Sequence, residues 1–120
     1  MTKILIVDDN PLMRRLLSLT LGKSYNLFEA EDGLAALEII RREHPQVVLL
    51  DIMMPGEIDG LQVLEIIKAC PELEGTRVAM VSACGQSEDL KFARDRRADA
   101  YFTKPFSPRT VRNWVLEQLH

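Results

Sequence analysis

Apolar residues along the chain follow two alternating patterns. The first is the short continuous run, seen in Ile4-Leu5-Ile6-Val7, Val47-Val48-Leu49-Leu50 and Val78-Ala79-Met80-Val81, and more weakly in Tyr25 to Ala30 and Ala100-Tyr101-Phe102. Runs this short, rich in β-branched residues and bounded by turn formers, predict strands; the fully apolar ones fit the buried interior of a parallel sheet. The second pattern is helical spacing. Leu12, Leu16, Leu19 and Met13, Leu17, Thr20, Leu21 predict a helix that Asn10 caps, Pro11 opens and Gly22 ends. Leu34, Leu37 and Ile40 predict inward positions of a helix over Leu34 to Glu43, closed by His44-Pro45. Leu61, Leu64, Ile67 and Lys68 mark a third helix to Cys70, followed by a turn from Pro71 to Gly75. Ser87 with Glu88 caps a polar fourth helix through Arg97, and Ser107-Pro108 opens a last one with Val111, Trp114, Val115 and Gln118 on one stripe.

Strand and helix therefore alternate five times, with connections too short for anything but local crossovers. This predicts an α/β fold, a five-stranded parallel sheet with helices on both faces and right-handed crossovers. No repeat, low-complexity segment or linker interrupts the 120 residues, so residues 1–120 read as a single domain.

Composition narrows the function little, but charge narrows it usefully. A net charge of -3 and a pI near 5.4 argue against a nucleic-acid-binding surface. No stretch approaches the roughly 18 apolar residues of a membrane span, and the N-terminus lacks a signal-peptide pattern, so the expected compartment is the cytoplasm. Cys70 and Cys84 have neither metal-ligand nor disulfide-framework spacing and read as small, half-buried thiols. His44 and His120 lie near helix ends and are assigned no catalytic role.

In a parallel sheet the C-terminal strand ends share one edge, where ligands of open α/β folds bind. That edge collects Asp8 and Asp9 from the first strand, Asp51 from the third, Ser82 from the fourth and Lys104 from the fifth. A single Asp after a strand is commonly a turn former. Several carboxylates crowded to about 4 Å, however, repel by a few kcal/mol unless a cation sits among them. An all-oxygen set with few protein ligands suits Mg²⁺.

These residues resemble the receiver domains of bacterial two-component response regulators. The resemblance covers the whole chain and rests on Asp8-Asp9, on Asp51 with Met54-Pro55 and Asp59-Gly60 after it, on Ser82-Ala83, and on Tyr101-Phe102-Thr103-Lys104-Pro105-Phe106. It implies the flavodoxin-like strand order 2-1-3-4-5 and a cis Lys104-Pro105 peptide. It implies that Asp51 is the phosphoacceptor, taking its phosphoryl group from a sensor histidine kinase or a histidine phosphotransfer protein. Asp9, Asp51 and the Met53 carbonyl would hold Mg²⁺, with Asp8 reaching it directly or through water. Lys104, the Ser82 hydroxyl and the Ala83 N–H would receive the phosphoryl oxygens, and Ser82 with Tyr101 would act as the switch. The signal would leave through the face of the fourth helix, fifth strand and last helix, with Lys91, Arg94, Arg109 and Arg112 on it. That face would meet a downstream protein or output domain, and it allows a phosphorylation-dependent dimer. Such a domain is a switch and not an enzyme acting on a separate substrate.

The sequence departs from the family pattern at three places. Gly56-Glu57-Ile58 makes the loop between Pro55 and Asp59-Gly60 one residue longer than the common spacing. Arg97 stands before Ala98 where many receivers carry a glycine suited to a left-handed helix cap, so the fourth helix is expected to end differently or be less stable. Met53 and Cys84 are weakly polar where a hydrolysing water would pass, which predicts slow self-dephosphorylation. Two competing readings fail: an aspartyl-phosphate phosphohydrolase needs a general acid where Met53 stands, and a flavin carrier's phosphate would be repelled by Asp8-Asp9. A receiver-like interaction module that is not phosphorylated is the alternative.

Overall fold

In the computed structural model, residues 1–83, 91, 95 and 97–119 are described, the side chains of Ser82 and Ala83 excepted. Five parallel strands, β1 (Lys3–Val7), β2 (Asn26–Ala30), β3 (Val47–Asp51), β4 (Arg77–Ala83) and β5 (Ala100–Lys104), form one sheet in the order β2-β1-β3-β4-β5. Helices α1 (Pro11–Leu21), α2 (Gly33–Glu43), α3 (Gly60–Ala69) and α4 (Pro108–Gln118) connect or follow them, with a 3₁₀ turn at Pro71–Leu73. Of the helix expected from Ser87 to Arg97, Lys91 and Asp95 have helical backbone and Arg97 lies in a turn; the rest falls outside the described residues.

The sheet is buried on both sides because its central strands carry continuous apolar runs, at residues 4–7, 47–50 and 78–81, with their polar residues at or near the ends. Side chains alternate across a strand. On one side Leu5, Val7, Val48 and Leu50 meet Ala36, Leu37 and Ile40 of α2 and Val63, Leu64 and Ile67 of α3. On the other, Ile4, Ile6, Val47 and Leu49 meet Leu17 and Leu21 of α1 and Val111 and Val115 of α4. All five residues of β3 are buried.

One inward position turns out otherwise than expected, and one choice that spacing leaves open is made by packing. Leu34, read as an inward position, is 54% exposed, because α2 packs through Gly33, Ala36, Leu37 and Ile40 and Leu34 lies about a quarter-turn off that face. On α1 the sheet takes Leu17 and Leu21, while Leu12, Leu16 and Leu19 face outward at 78%, 41% and 69% exposure.

Of the starts that the sequence nominates, Asn10 makes its cap bond and Ser107 does not; α2 and α3 are capped by Asp32 and Asp59, which it does not nominate. Asn10 accepts from the Leu12 N–H (2.9 Å), and Asp32 from the Ala35 N–H (2.8 Å). Asp59 and Gln62 form a reciprocal box, each side chain accepting from the other's backbone N–H at 2.9 Å. Ser107 occupies the cap position of α4 without a side-chain bond. Cys70 caps the end of α3 and is half-buried, as expected; Cys84 and His120 fall outside the described residues. His44 ends α2 exposed and in the left-handed region (φ 47°).

Arg97 also has a positive φ, 63°. The chain keeps the left-handed turn before β5 although the residue is not glycine, and bears a steric cost of about 1 kcal/mol there.

Two glycines permit backbone-to-backbone packing at the active edge. A Cβ on Gly60 would collide with the carbonyl oxygen of Asp51, and one on Gly33 with the carbonyl of Ile58. The loop between β3 and α3 is therefore seated at Gly60 against the end of β3 and through Ile58 against the start of α2.

Candidate functional site

Strand register gathers the site. Val7 pairs with Leu50, Asp51 with Val81 and Ala83 with Lys104, so Asp8, Asp9, Asp51 and Lys104 emerge together where β1, β3 and β5 end. Each of the three carboxylates offers an oxygen to a cluster whose members all lie within 4.8 Å of one another. Asp8 and Asp51 are buried, at 2% and 4% exposure, and Asp9 is exposed.

Lys104 bridges the two buried acids. Its Nζ lies 3.0 Å from Asp8 Oδ2 and 3.5 Å from Asp51 Oδ2. Asp51 Oδ1 accepts weakly from the Met53 N–H at 3.3 Å. Asp8 is held more fully: its N–H donates to the Ala30 carbonyl (3.1 Å), and its Oδ1 accepts from the Asn10 N–H (2.9 Å). Its own carbonyl accepts from Arg14 Nη1 at 2.7 Å. Asp9 has no side-chain hydrogen bond or ion pair among the described residues.

Burial and the neighbouring Asp8 charge push the Asp51 carboxyl up to about 6, against the partial relief that Lys104 and the Met53 N–H supply. For Lys104, burial acts to lower the ammonium, but the bond to Asp8 and the charges of both acids outweigh it and hold the lysine above its ordinary range. One ammonium thus serves two buried carboxylates, and a third carboxylate stands beside them. Two unit charges about 4 Å apart interact by roughly 4 kcal/mol at an effective dielectric near 20. An added dication would remove that repulsion. The donor set is all oxygen and partly open to solvent through Asp9, so the residues present fit Mg²⁺.

Of the other expected site residues, Met53 sits at the rim with its side chain 57% exposed. The Lys104–Pro105 peptide is cis. Ser82 and Ala83 lie on β4 beside Thr103 and Lys104 by backbone register, but their side chains fall outside the described residues. Tyr101 is half-buried against the core on the α2–α3 side, and its hydroxyl lies 3.4 Å from the Ala98 carbonyl, to which it donates. Lys91, Arg109 and Arg112 are exposed, whereas Arg94 lies outside the described residues.

Arg14 is a site residue that the sequence reading does not nominate. Besides gripping the Asp8 carbonyl, its Nε donates to Glu29 Oε1 at 3.0 Å. A signal does exist: a charged residue one turn beyond the cap of a helix that begins at an acid pair, and an acid in an otherwise mostly apolar strand.

A family model, the response regulator receiver domain, matches residues 4–116. The chain is 37% identical over 118 residues to sporulation initiation phosphotransferase F of Bacillus subtilis, covering 98% of this chain and 93% of that protein. It is 38% identical over 110 residues to the transcriptional regulatory protein SrrA of Staphylococcus aureus, covering 91% of this chain but 44% of that longer protein. Among solved structures, a response regulator receiver domain protein of Methanospirillum hungatei superposes with a TM-score of 0.87 at 30% identity, covering 99% of this chain and 94% of that one.

The chain belongs to the response regulator receiver domain family, the signal-receiving module of two-component systems. The strand order expected from the resemblance is the one observed. No helix among the described residues is long and apolar enough to cross a membrane.

Proposed function

We propose that residues 1–120 form one receiver unit in which Asp51 accepts a phosphoryl group from a phosphohistidine on a sensor kinase or phosphotransfer protein. The observation that carries this is the Asp51 carboxylate itself, 4% exposed, between Asp8 and Lys104 at the open edge of the sheet. In the transfer, the donor's P–N bond breaks as a carboxylate oxygen of Asp51 forms the new P–O bond. The work of such a site is to position the phosphoryl group and neutralise charge on its equatorial oxygens. Mg²⁺ held by Asp8, Asp9, Asp51 and the Met53 carbonyl would supply the largest share of that neutralisation.

Lys104 keeps its ammonium within 3.5 Å of Asp51, which supports its meeting a phosphoryl oxygen once Asp51 is modified. The Ser82 hydroxyl and the Ala83 N–H take a further oxygen. Phosphorylation changes the charge of Asp51 by less than one unit, so the signal is geometric: Ser82 moves toward the phosphoryl group and Tyr101 follows into the space it leaves. The surface of β5 and α4, with the exposed Arg109 and Arg112, then presents a changed face to an output domain, a downstream protein or a second copy of the chain. The domain acts in the cytoplasm as a switch and turns over no separate substrate.

The test is incubation with Mg²⁺ and acetyl phosphate, followed by intact-mass measurement. The protein gains the mass of one phosphoryl group, and neither Asp51→Asn nor wild type in EDTA does. Absence of the increment in wild type, or its persistence in Asp51→Asn, overturns the proposal.

A further inference from the structure

Asp9 is the one acid of the cluster that nothing among the described residues holds by its side chain. Asp8 is fixed through its N–H, both carboxylate oxygens and its carbonyl, and Asp51 through Lys104 and the Met53 N–H. Asp9 is exposed and has no such bond among the described residues, yet its carboxylate belongs to the same cluster. Its place is therefore set by the backbone on either side. On the C-terminal side the Asn10 N–H is tied to Asp8 Oδ1 (2.9 Å). On the N-terminal side is the peptide joining Asp8 to Asp9, and its carbonyl oxygen is the atom that Arg14 Nη1 grips at 2.7 Å.

Arg14 is itself anchored. Its side chain is 17% exposed, and its Nε donates to Glu29 Oε1 on β2 at 3.0 Å. A guanidinium has several donors in one rigid plane, so two can be used at once from a fixed position. The arginine thus spans from the edge strand, across the start of α1, to the peptide plane that aims Asp9.

We infer that Arg14, anchored by Glu29, is a positioning residue that holds Asp9 ready to bind the divalent cation. The inference rests on the metal-dependent reading above. Partners that orient a metal's ligands typically matter by 10- to 100-fold in affinity. Arg14 works through a backbone carbonyl and on one ligand of several, so the expected effect is at the low end, on the order of 10-fold.

The sign of the effect separates aiming from charge. A cation beside a metal site disfavours Mg²⁺ by charge alone, so removing Arg14 would tighten binding if charge were its only influence. If Arg14 aims Asp9, removing it weakens binding. The experiment is calorimetric titration with MgCl₂ of wild type, Arg14→Met, Arg14→Lys and Asp9→Asn with and without Arg14→Met, each shown to be folded by thermal unfolding in EDTA. The expected results are a Mg²⁺ Kd raised about 10-fold in Arg14→Met and raised to a smaller extent in Arg14→Lys, whose single ammonium cannot span the carbonyl and Glu29. In the Asp9→Asn background Arg14→Met should have little further effect, which a general structural role would not produce. If Arg14→Met fails to fold, Arg14→Lys carries the test, because charge alone predicts no change for it. Affinity equal to or tighter than wild type in the folded Arg14 variants overturns the inference and leaves the proposed function standing. A wild type that binds no Mg²⁺ overturns both.

Discussion

Replacing Asp51 by asparagine should make the metal-free protein more stable, and by an amount that depends on pH. The carboxyl is pushed from an ordinary value of 3.8 up to about 6, first by burial and then by Asp8. A folded-state value above the unfolded one means that the native protein holds this proton more tightly. Stability therefore falls as pH rises from about 4 to about 6, and above that the full penalty of an ionised Asp51 is present. Raising a carboxyl from its ordinary value to about 6 corresponds to a penalty of roughly 3 kcal/mol. Local relaxation reduces this, and we expect a gain of about 1–3 kcal/mol for Asp51→Asn at pH 7.5.

The substitution costs little elsewhere. The amide oxygen can still accept from the Met53 N–H, and Lys104 keeps its shorter 3.0 Å bond to Asp8. For a domain of this size each kcal/mol moves Tm by roughly 4 °C. The assay is thermal unfolding in EDTA at pH 5, 6, 7 and 8. The variant's advantage should grow between pH 5 and 7 and then level off. Adding Mg²⁺ should narrow it, since a cation that binds the native cluster stabilises wild type by mass action. A variant less stable than wild type in EDTA at pH 7.5, or an advantage that does not change between pH 5 and 7, would refute the reasoning.

Two other outcomes follow from single residues. Arg97→Gly should relieve the strained left-handed turn at φ 63° and raise stability by up to about 0.5 kcal/mol after the extra chain entropy of glycine is subtracted; urea unfolding reads this, and a loss of stability counts against it. Met53, two residues after Asp51, is 57% exposed and would present a thioether to a water attacking the proposed phosphoryl group. Met53→Asn offers that water a hydrogen-bonding group and should shorten the lifetime of the phosphorylated protein several-fold. The decay of the phosphorylated mass after removal of acetyl phosphate measures it, and equal or slower decay in the variant contradicts the idea.

The elements and the edge where they end are legible in the sequence because they rest on local rules. Val47 to Leu50, short and bounded by prolines, reads as a strand buried on both faces, and an acid directly after it then emerges at the sheet's end. Strand order is another matter, since apolar runs do not say which strands are neighbours; it comes from the resemblance. Helix orientation is also ambiguous. On α1, two rows of leucines have equally good spacing, and tertiary packing chooses Leu17 and Leu21 over Leu12, Leu16 and Leu19. Leu34 departs from expectation for the same reason: helical spacing allows a broad stripe, and packing centres it on Gly33, Ala36, Leu37 and Ile40, with Leu34 at its side. Arg14 leaves only a local signal in the sequence, because its partners come from just after β1 and from near the end of β2, and a bond from a helix to an edge strand leaves no periodic trace.

The loop of one additional residue after Asp51 resembles a bridge between two fixed abutments. At one end the bare backbone of Gly60 rests on the Asp51 carbonyl, and along its course Ile58 rests on Gly33. Between the end of β3 and Ile58, Pro55, Gly56 and Glu57 are exposed, and Gly56 takes up a φ of 102° that other residues avoid. The span can therefore change length where it touches nothing, while its footings, and the acid beside one of them, stay where they are. Variation in that arch would alter what a visiting partner meets at the mouth of the site and leave the chemistry beneath it unchanged.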